Sequence, residues 1–198
     1  MTLDFDKGNG LVPAIVQDAD TLQVLMLGYM SAEAVARTRE TGLVTFHSRS
    51  RQTLWTKGET SGNVLRLVSL TKDCDMDTVL VMARPEGPTC HEGTVSCFGD
   101  KGASGVGFLV ALERVIAARD GADTSESYTA SLLAKPVAIV AQKVGEEGVE
   151  TALASVAEDD EALAGEAADL LYHLIVLLRK RGMGLADVIG VLQERHTK

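Results

Sequence analysis

The sequence predicts two domains of different class: an amino-terminal α+β domain with a mostly antiparallel sheet, and a carboxyl-terminal all-α helical bundle. Three observations carry this. Before residue 105, short β-branched runs alternate with turn residues, whereas after it Ala, Leu and Glu recur with helical periodicity and few turns. Between them, Cys97-Phe98-Gly99-Asp100-Lys101-Gly102-Ala103-Ser104-Gly105 is rich in glycine and suits a hinge, which separates domains of 1–104 and 105–198. Finally, 198 residues with 45% apolar side chains are enough for two modest cores.

In the first part, segments 14–17, 24–29, 44–47, 64–70 and 78–83 read as strands, broken by Asp18-Ala19-Asp20, Lys57-Gly58 and Ser61-Gly62-Asn63. One helix interrupts them. Ser31-Ala32-Glu33-Ala34 supplies an N-cap and an early acid, and Gly42 stands where a C-terminal glycine belongs. The second part carries helical patterns over 106–120, 126–134, 136–157, 160–181 and 185–194. Asp159-Asp160-Glu161 favours one N-terminus and Gly182 one C-terminus, and the short links predict antiparallel neighbours.

Composition excludes several functions. A net charge of −9, divided as −3 over 1–105 and −6 over 106–198, argues against nucleic-acid binding driven by bulk charge. With 4% aromatics, a sheet platform for stacking nucleobases is also disfavoured. The longest apolar stretches, 109–112 and 174–178, fall far short of the roughly 20 residues a bilayer span requires. Thr2-Leu3-Asp4 opens no signal peptide, so the expectation is a soluble cytoplasmic chain without a membrane partner. Three cysteines are an odd count, which favours reduced thiols or metal ligands over a disulfide framework.

From Ala162 to Leu178 the side chains are apolar or glycine except for Glu166, Asp169 and His173, a stripe one residue wide. The preceding helix places Lys143, Glu146, Glu147 and Glu150 at i, i+3, i+4 and i+7 among Val140, Val144, Val149 and Ala152. Two solvated helix faces are the plain alternative, but a solvated face is normally wide and mixed in sign. If the acids meet across paired helices, carboxylates about 5 Å apart repel by roughly 3 kcal/mol per pair at an effective dielectric near 20. A cation makes that tolerable. All-oxygen ligation without a nearby thiol selects Mg²⁺ or Mn²⁺, which points to phosphoanhydride chemistry.

Ser127-Tyr128-Thr129-Ala130, Gln142-Lys143-Val144-Gly145-Glu146-Glu147-Gly148-Val149-Glu150 and Glu166-Ala167-Ala168-Asp169-Leu170-Leu171-Tyr172-His173 resemble phosphoribosyl-ATP pyrophosphatase of histidine biosynthesis. That family belongs to the all-α nucleoside-triphosphate pyrophosphohydrolases. The resemblance implies Mg²⁺ at Glu147, Glu150, Glu166 and Asp169, with Glu146 and Lys143 orienting water or phosphate. Pro136-Val137-Ala138 is apolar where relatives often carry basic residues, which leaves phosphate contacts to Lys135 or Lys143.

Asp73-Cys74-Asp75-Met76-Asp77 follows the 64–70 strand, and in extended backbone its three aspartates share one side while Cys74 and Met76 take the other. Asp73, Asp75 and Asp77 offer hard ligands for Mg²⁺, and Cys74 a soft one for Zn²⁺. Cys90 and Cys97 complete the thiols. Their spacing is not that of a structural zinc finger, and buried core cysteines are the bland alternative, but three thiolates would leave a fourth position for water, as in catalytic zinc sites. Upstream, residues 48–63 concentrate Arg49, Arg51, Trp55, Lys57, Thr60 and Ser61 with two glycines, a composition suited either to cradling phosphate or to an ordinary polar hairpin.

Residues 11–29, 48–63, 73–77 and 87–98 resemble phosphoribosyl-AMP cyclohydrolase, with His47 departing where relatives commonly carry an aromatic. The two resemblances cover nearly the whole chain in the order of the fused bifunctional enzyme. They imply pyrophosphate release from phosphoribosyl-ATP by the second domain, then opening of the adenine ring of phosphoribosyl-AMP by the first, with His91 as a proton shuttle. They also imply a homodimer whose zinc site joins Cys74 of one subunit to Cys90 and Cys97 of the other. A housecleaning nucleotide pyrophosphatase leaves Cys74, Cys90 and Cys97 unexplained and a non-catalytic zinc-binding interaction module leaves the helical carboxylates unexplained; the alternative to the fused enzyme is such a pyrophosphatase joined to a non-catalytic zinc-binding amino-terminal module.

Overall fold

In the computed structural model, which describes residues 2–99 and 102–196, Val12, Ala14 and Val16 are wholly buried while Pro13, Ile15 and Gln17 are half-buried. That period of two makes Val12–Asp18 (β1) a strand with one face on a core. Val24–Met30 (β2) returns antiparallel to it, pairing Val12 with Met30 and Ile15 with Leu27. Ser31 then caps Ala32–Thr41 (α1), accepting from the Ala34 N–H at 3.2 Å, and Gly42 ends it at φ 71° with its N–H on the Thr38 carbonyl. Thr38 lies buried and joins α1 to the next segment, donating to Ala34 O at 2.8 Å and accepting from the Thr45 N–H at 2.9 Å.

Leu65–Lys72 (β5) and Val79–Pro85 (β6) form an antiparallel pair, and β6 runs parallel to β1. The four-stranded sheet therefore has the order β2-β1-β6-β5, largely antiparallel as expected. A strand absent from the sequence reading lies inside the 48–63 segment. Thr45–Ser48 (β3) pairs with Thr53–Thr56 (β4) because Leu54 and Trp55 turn onto the core, where Trp55 meets Phe46 with ring centroids 5.2 Å apart.

The extended backbone expected for 73–77 is a turn. The register of β5 and β6 pairs Lys72 with Val79, so the six residues between must reverse the chain. Met76 takes the left-handed conformation at φ 67°, Asp73 donates its N–H to Thr78 O at 3.1 Å, and the Thr78 N–H returns to Asp73 Oδ1 at 3.1 Å. This strand-rich unit spans Met1–Phe108, and a helical unit spans Leu109–Lys198. Asp100 and Lys101 of the expected hinge lie outside the described residues.

The helices are Gly107–Ala118 (α2), Tyr128–Ala134 (α3), Val137–Ala157 (α4), Asp160–Lys180 (α5) and Leu185–His196 (α6). Ser127 caps α3 through the Ala130 N–H at 3.2 Å, and Asp159 caps α5 through the Ala162 N–H at 2.9 Å. Only Glu158 and Asp159 separate α4 from α5, which forces the two to run antiparallel. Ile116, Leu132, Leu133, Val140, Ile175 and Val176 form the core of this unit.

A Cβ added at Gly28 would sit 2.4 Å from the Phe46 ring, which is itself buried against Trp55 and has little room to shift. Gly28→Ala should therefore destabilise the amino-terminal unit by about 1–3 kcal/mol. A lowered denaturant midpoint is the readout; an unchanged midpoint would show that Phe46 yields freely.

Candidate active sites

The β3–β4 hairpin and the turn after it wall a cleft of about 490 Å³ in the amino-terminal unit. Its lining includes Arg51, Trp55, Lys57, Thr60, Ser61, Cys90, His91 and Cys97, so most of the predicted substrate residues meet two of the three thiols. Arg49 does not line it. Its guanidinium lies over the Tyr29 ring, 3.9 Å from the centroid.

Backbone geometry sets the cleft wall. Gly58 has φ 85°, and a Cβ there would lie 2.4 Å from the Asn63 carbonyl oxygen, so the chain can close over this turn only with glycine. Lys57 Nζ reaches the same carbonyl at 3.3 Å. Gly87 approaches from the other side, where a Cβ would meet Asn63 Oδ1 at 2.4 Å. Asn63 is thereby pinned as a lining residue, one that the sequence reading treated only as part of a turn. Its signal was the pair of glycines that make room for it.

Ser96 anchors the thiol loop to β2, donating to Val24 O at 2.8 Å, and the Cys97 N–H bonds Leu25 O at 2.8 Å. The Glu92 backbone N–H, followed by the Thr94 hydroxyl, draws the Cys90 thiol below its ordinary range. Burial, then the neighbouring Cys90, pushes the Cys97 thiol up. His91 Nδ1 lies 3.9 Å from Cys90 Sγ. Beside them Thr89 Oγ1 is buried with no hydrogen-bond partner. Two soft donors at the edge of a cleft fit a zinc ion that lacks only further ligands. Cys74 is exposed on the turn after β5, and among the described residues the three thiols do not converge within one chain.

That turn instead gathers Asp73, Asp75 and Asp77, with ligand atoms all within 4.8 Å of one another. The turn achieves by φ at Met76 what extended backbone was expected to achieve by alternation. Lys7 reaches in from the single 3₁₀ turn Asp6–Gly8, donating to Asp75 Oδ2 at 2.8 Å, Asp75 O at 3.1 Å and Asp77 Oδ2 at 3.4 Å. Asp4 N–H on Met76 O at 2.7 Å holds the segment in place. The ammonium draws the Asp75 carboxyl below the usual carboxylate range.

In the helical unit, α4 and α5 bring Glu147, Glu150 and Glu166 within the same 4.8 Å limit. Asp169 lies outside that group, one turn along α5 from Glu166. Loss of water pushes the Glu166 carboxyl above its ordinary range, and Glu150, Glu147 and Asp169 add to the rise. This repulsion is what a divalent cation relieves, and the all-oxygen donor set fits Mg²⁺. Lys143 Nζ bonds Glu146 Oε2 at 2.8 Å and lies 3.4 Å from Glu147 Oε1; the contact draws the Glu146 carboxyl down and pushes the Lys143 ammonium up. Glu147 and His173 are both buried, and His173 had no role in the sequence reading.

Residues 26–99 match the phosphoribosyl-AMP cyclohydrolase family and residues 109–196 the phosphoribosyl-ATP pyrophosphohydrolase family. The chain is 61% identical over 195 residues to the histidine biosynthesis bifunctional protein HisIE of Xanthomonas axonopodis pv. citri (strain 306), a match spanning 98% of this chain and 93% of the relative. It is 56% identical over 194 residues to the protein of the same name from Escherichia coli (strain K12), spanning 98% and 95%.

Lys7 pairs with Asp75 and Asp77, two of the three acids of this cluster. Lys7→Met should tighten Mn²⁺ binding at this turn by a few-fold, as expected for loss of an exposed competing ion pair. Mn²⁺ titration in a Glu166→Gln background isolates this cluster; equal affinity would show that the ammonium does not compete.

Proposed function

This chain belongs to the family of bifunctional histidine-biosynthesis enzymes that join a cyclohydrolase to a pyrophosphohydrolase, and from that premise we infer which side chains carry each step. It hydrolyses phosphoribosyl-ATP to phosphoribosyl-AMP and pyrophosphate, and then opens the adenine ring of phosphoribosyl-AMP between N1 and C6. A housecleaning pyrophosphatase is not favoured, because the cyclohydrolase match occupies residues 26–99. The working division is a cyclohydrolase domain over 1–104 and a pyrophosphatase domain over 105–198, supported by family matches that fall on either side of the glycine-rich segment. Glu-x-x-Glu on α4 facing Glu-x-x-Asp on α5 supports an all-α nucleoside-triphosphate pyrophosphohydrolase fold for the latter.

The convergence of Glu147, Glu150 and Glu166 is the observation that carries the first step. These three, with Asp169 one turn on, are assigned as Mg²⁺ ligands. Mg²⁺ held there supplies charge neutralisation for triphosphate oxygens and a fixed position for water. Lys143 presents its ammonium to the same polyanion, and Glu146, ionised by its contact with Lys143, accepts a proton from the attacking water.

For the second step, Cys90 and Cys97 are assigned to one zinc site together with Cys74 of the partner subunit in a homodimer, since Cys74 stands apart from them in its own chain. Zinc held by these thiolates would supply a Lewis acid that lowers the pKa of a bound water from about 15.7 to about 7. Trp55 offers an aromatic face to the purine, Arg51 and Lys57 face the phosphate, and Thr60 and Ser61 offer hydroxyls to the same group. His91, beside Cys90, passes a proton to the departing N1. Arg49 reaches this substrate only by leaving the Tyr29 ring. Asp73, Asp75 and Asp77 are assigned to a second Mg²⁺. No helix among the described residues is long and apolar enough to cross a membrane, and free thiols of this kind suit a reducing cytoplasm.

Glu166→Gln should cut pyrophosphate release by about a thousandfold, the several kcal/mol a metal contributes to charge stabilisation. Ring opening of supplied phosphoribosyl-AMP should persist. Cys90→Ser should do the reverse and lower zinc per chain, since serine is no soft ligand. Loss of both activities in either variant, with the fold retained by circular dichroism, would argue against separate sites.

The shared zinc site makes a further prediction. Co-expressed Cys74→Ser and Cys90→Ser chains should form heterodimers with one intact site and recover up to half of the wild-type ring-opening activity. Heterodimers without activity would place the zinc within a single chain.

A further inference from the structure

His173 is a buried imidazole on α5 that the two hydrolyses leave without a role. Its Nδ1 lies 2.9 Å from the Asp169 carbonyl oxygen. A carbonyl only accepts, so Nδ1 carries the proton and Nε2 is the acceptor, filled by the Tyr128 hydroxyl at 3.2 Å. Nδ1 also stands 3.5 Å from Glu147 Oε1. Lys143 Nζ approaches that same oxygen from 3.4 Å. One oxygen of Glu147 thus lies within ion-pairing distance of the Lys143 ammonium and against the N–H-bearing edge of the His173 ring, whose proton is given first to the Asp169 carbonyl. A carboxylate held at one oxygen presents the other in a fixed direction.

The imidazole is itself held. Tyr128 and Tyr172 meet it edge-on, with ring centroids at 6.3 and 5.1 Å. Thr129 Oγ1 bonds the Tyr172 hydroxyl at 2.7 Å, so α3 is stitched to α5 twice in succession. Ser127-Tyr128-Thr129-Ala130 thereby acquires a purpose, reaching α5 through His173 and Tyr172.

We propose that Tyr128 and His173 form a positioning relay for Glu147, with α3 fixing the imidazole and the imidazole fixing the carboxylate that takes the divalent cation. The relay rests on the reading of Glu147 as a metal ligand. His173 is not a catalytic residue, because it acts through Glu147 alone. Partners that orient a ligand from behind typically change metal affinity by about 10–100-fold when removed.

The test is Mn²⁺ binding to the metal-free full chain, read from the electron paramagnetic resonance signal of free Mn²⁺. An Asp75→Asn background removes the other acid cluster from the count. His173→Phe keeps an aromatic ring, somewhat larger, and removes both nitrogens, and should weaken binding by about 10–100-fold. His173→Asn leaves a void yet restores an N–H near the position of Nδ1, and should recover most of that loss. Tyr128→Phe, which removes one hydroxyl, should weaken binding by a smaller factor. If His173 served only as packing, the order would reverse, with His173→Phe binding normally and His173→Asn impaired. Either that reversal or unchanged affinity in His173→Phe overturns the relay. If His173→Phe does not fold, Tyr128→Phe decides, and unchanged affinity there overturns it equally. A background chain that binds no Mn²⁺ at all would instead overturn the metal assignment of Glu147 itself.

Discussion

Carboxylates gathered within one coordination shell repel one another, and both units of this chain are arranged around ways of tolerating that repulsion. In the amino-terminal unit the three aspartates sit on an exposed turn, where water screens them and Lys7 supplies a counter-charge. The amino-terminal segment is consequently folded back onto the turn, held there by Asp4 as well as Lys7. In the helical unit the same problem is posed at the edge of the core. Glu147 is buried, Glu166 half-buried and Glu150 exposed, and partial loss of water pushes the Glu166 carboxyl up before its neighbours add to the effect. Lys143 approaches one Glu147 oxygen at 3.4 Å and the His173 ring the same oxygen at 3.5 Å.

The two proposed metal sites draw on different ligand classes, and this follows from hardness. Thiolates and carboxylates select different ions, so a zinc site built on Cys90 and Cys97 and a magnesium site built on Glu147, Glu150 and Glu166 need not compete for metal. The cleft beside the thiols is shaped by backbone rather than bulk. Gly58 and Gly87 close on Asn63 from both sides, and the hydroxyls and cations of the hairpin line what remains. Hydrolytic ring opening needs polar groups arranged around a planar base, and a wall of main chain with Trp55 set into it suits that need.

Local signals were legible in the sequence wherever the cause was local. Ser31, Gly42 and Asp159 are read as helix ends from residue type alone, because a cap is made within four residues of itself, whereas the Ser127 cap falls inside the helical pattern read over 126–134. The acid stripes of α4 and α5 were legible for the same reason, since helical period places Glu147 beside Glu150 without reference to the rest of the chain. Strand β4 was not legible. Thr53-Leu54-Trp55-Thr56 lacks clean alternation, and it becomes a strand because Trp55 finds Phe46 across the hairpin.

The sequence by itself therefore determined which residue types stand at which spacing: hard acids at helical intervals, soft thiols around a strand, cations and glycines in a hairpin. Tertiary structure alone decided which of them meet. The 73–77 aspartates converge through a reversed turn and a left-handed Met76, because the β5–β6 register leaves six residues to turn the chain. Cys90 and Cys97 share a cleft and Cys74 does not, Arg49 goes to Tyr29, and a buried histidine comes to face a glutamate 26 positions earlier. Arg49 on Tyr29 and His173 beside Glu147 are contacts between elements distant in sequence, and even the local turn and thiol loop take their shape from how the strands beside them pair. No periodicity encodes such a distance, because it is set by how whole elements pair and cross.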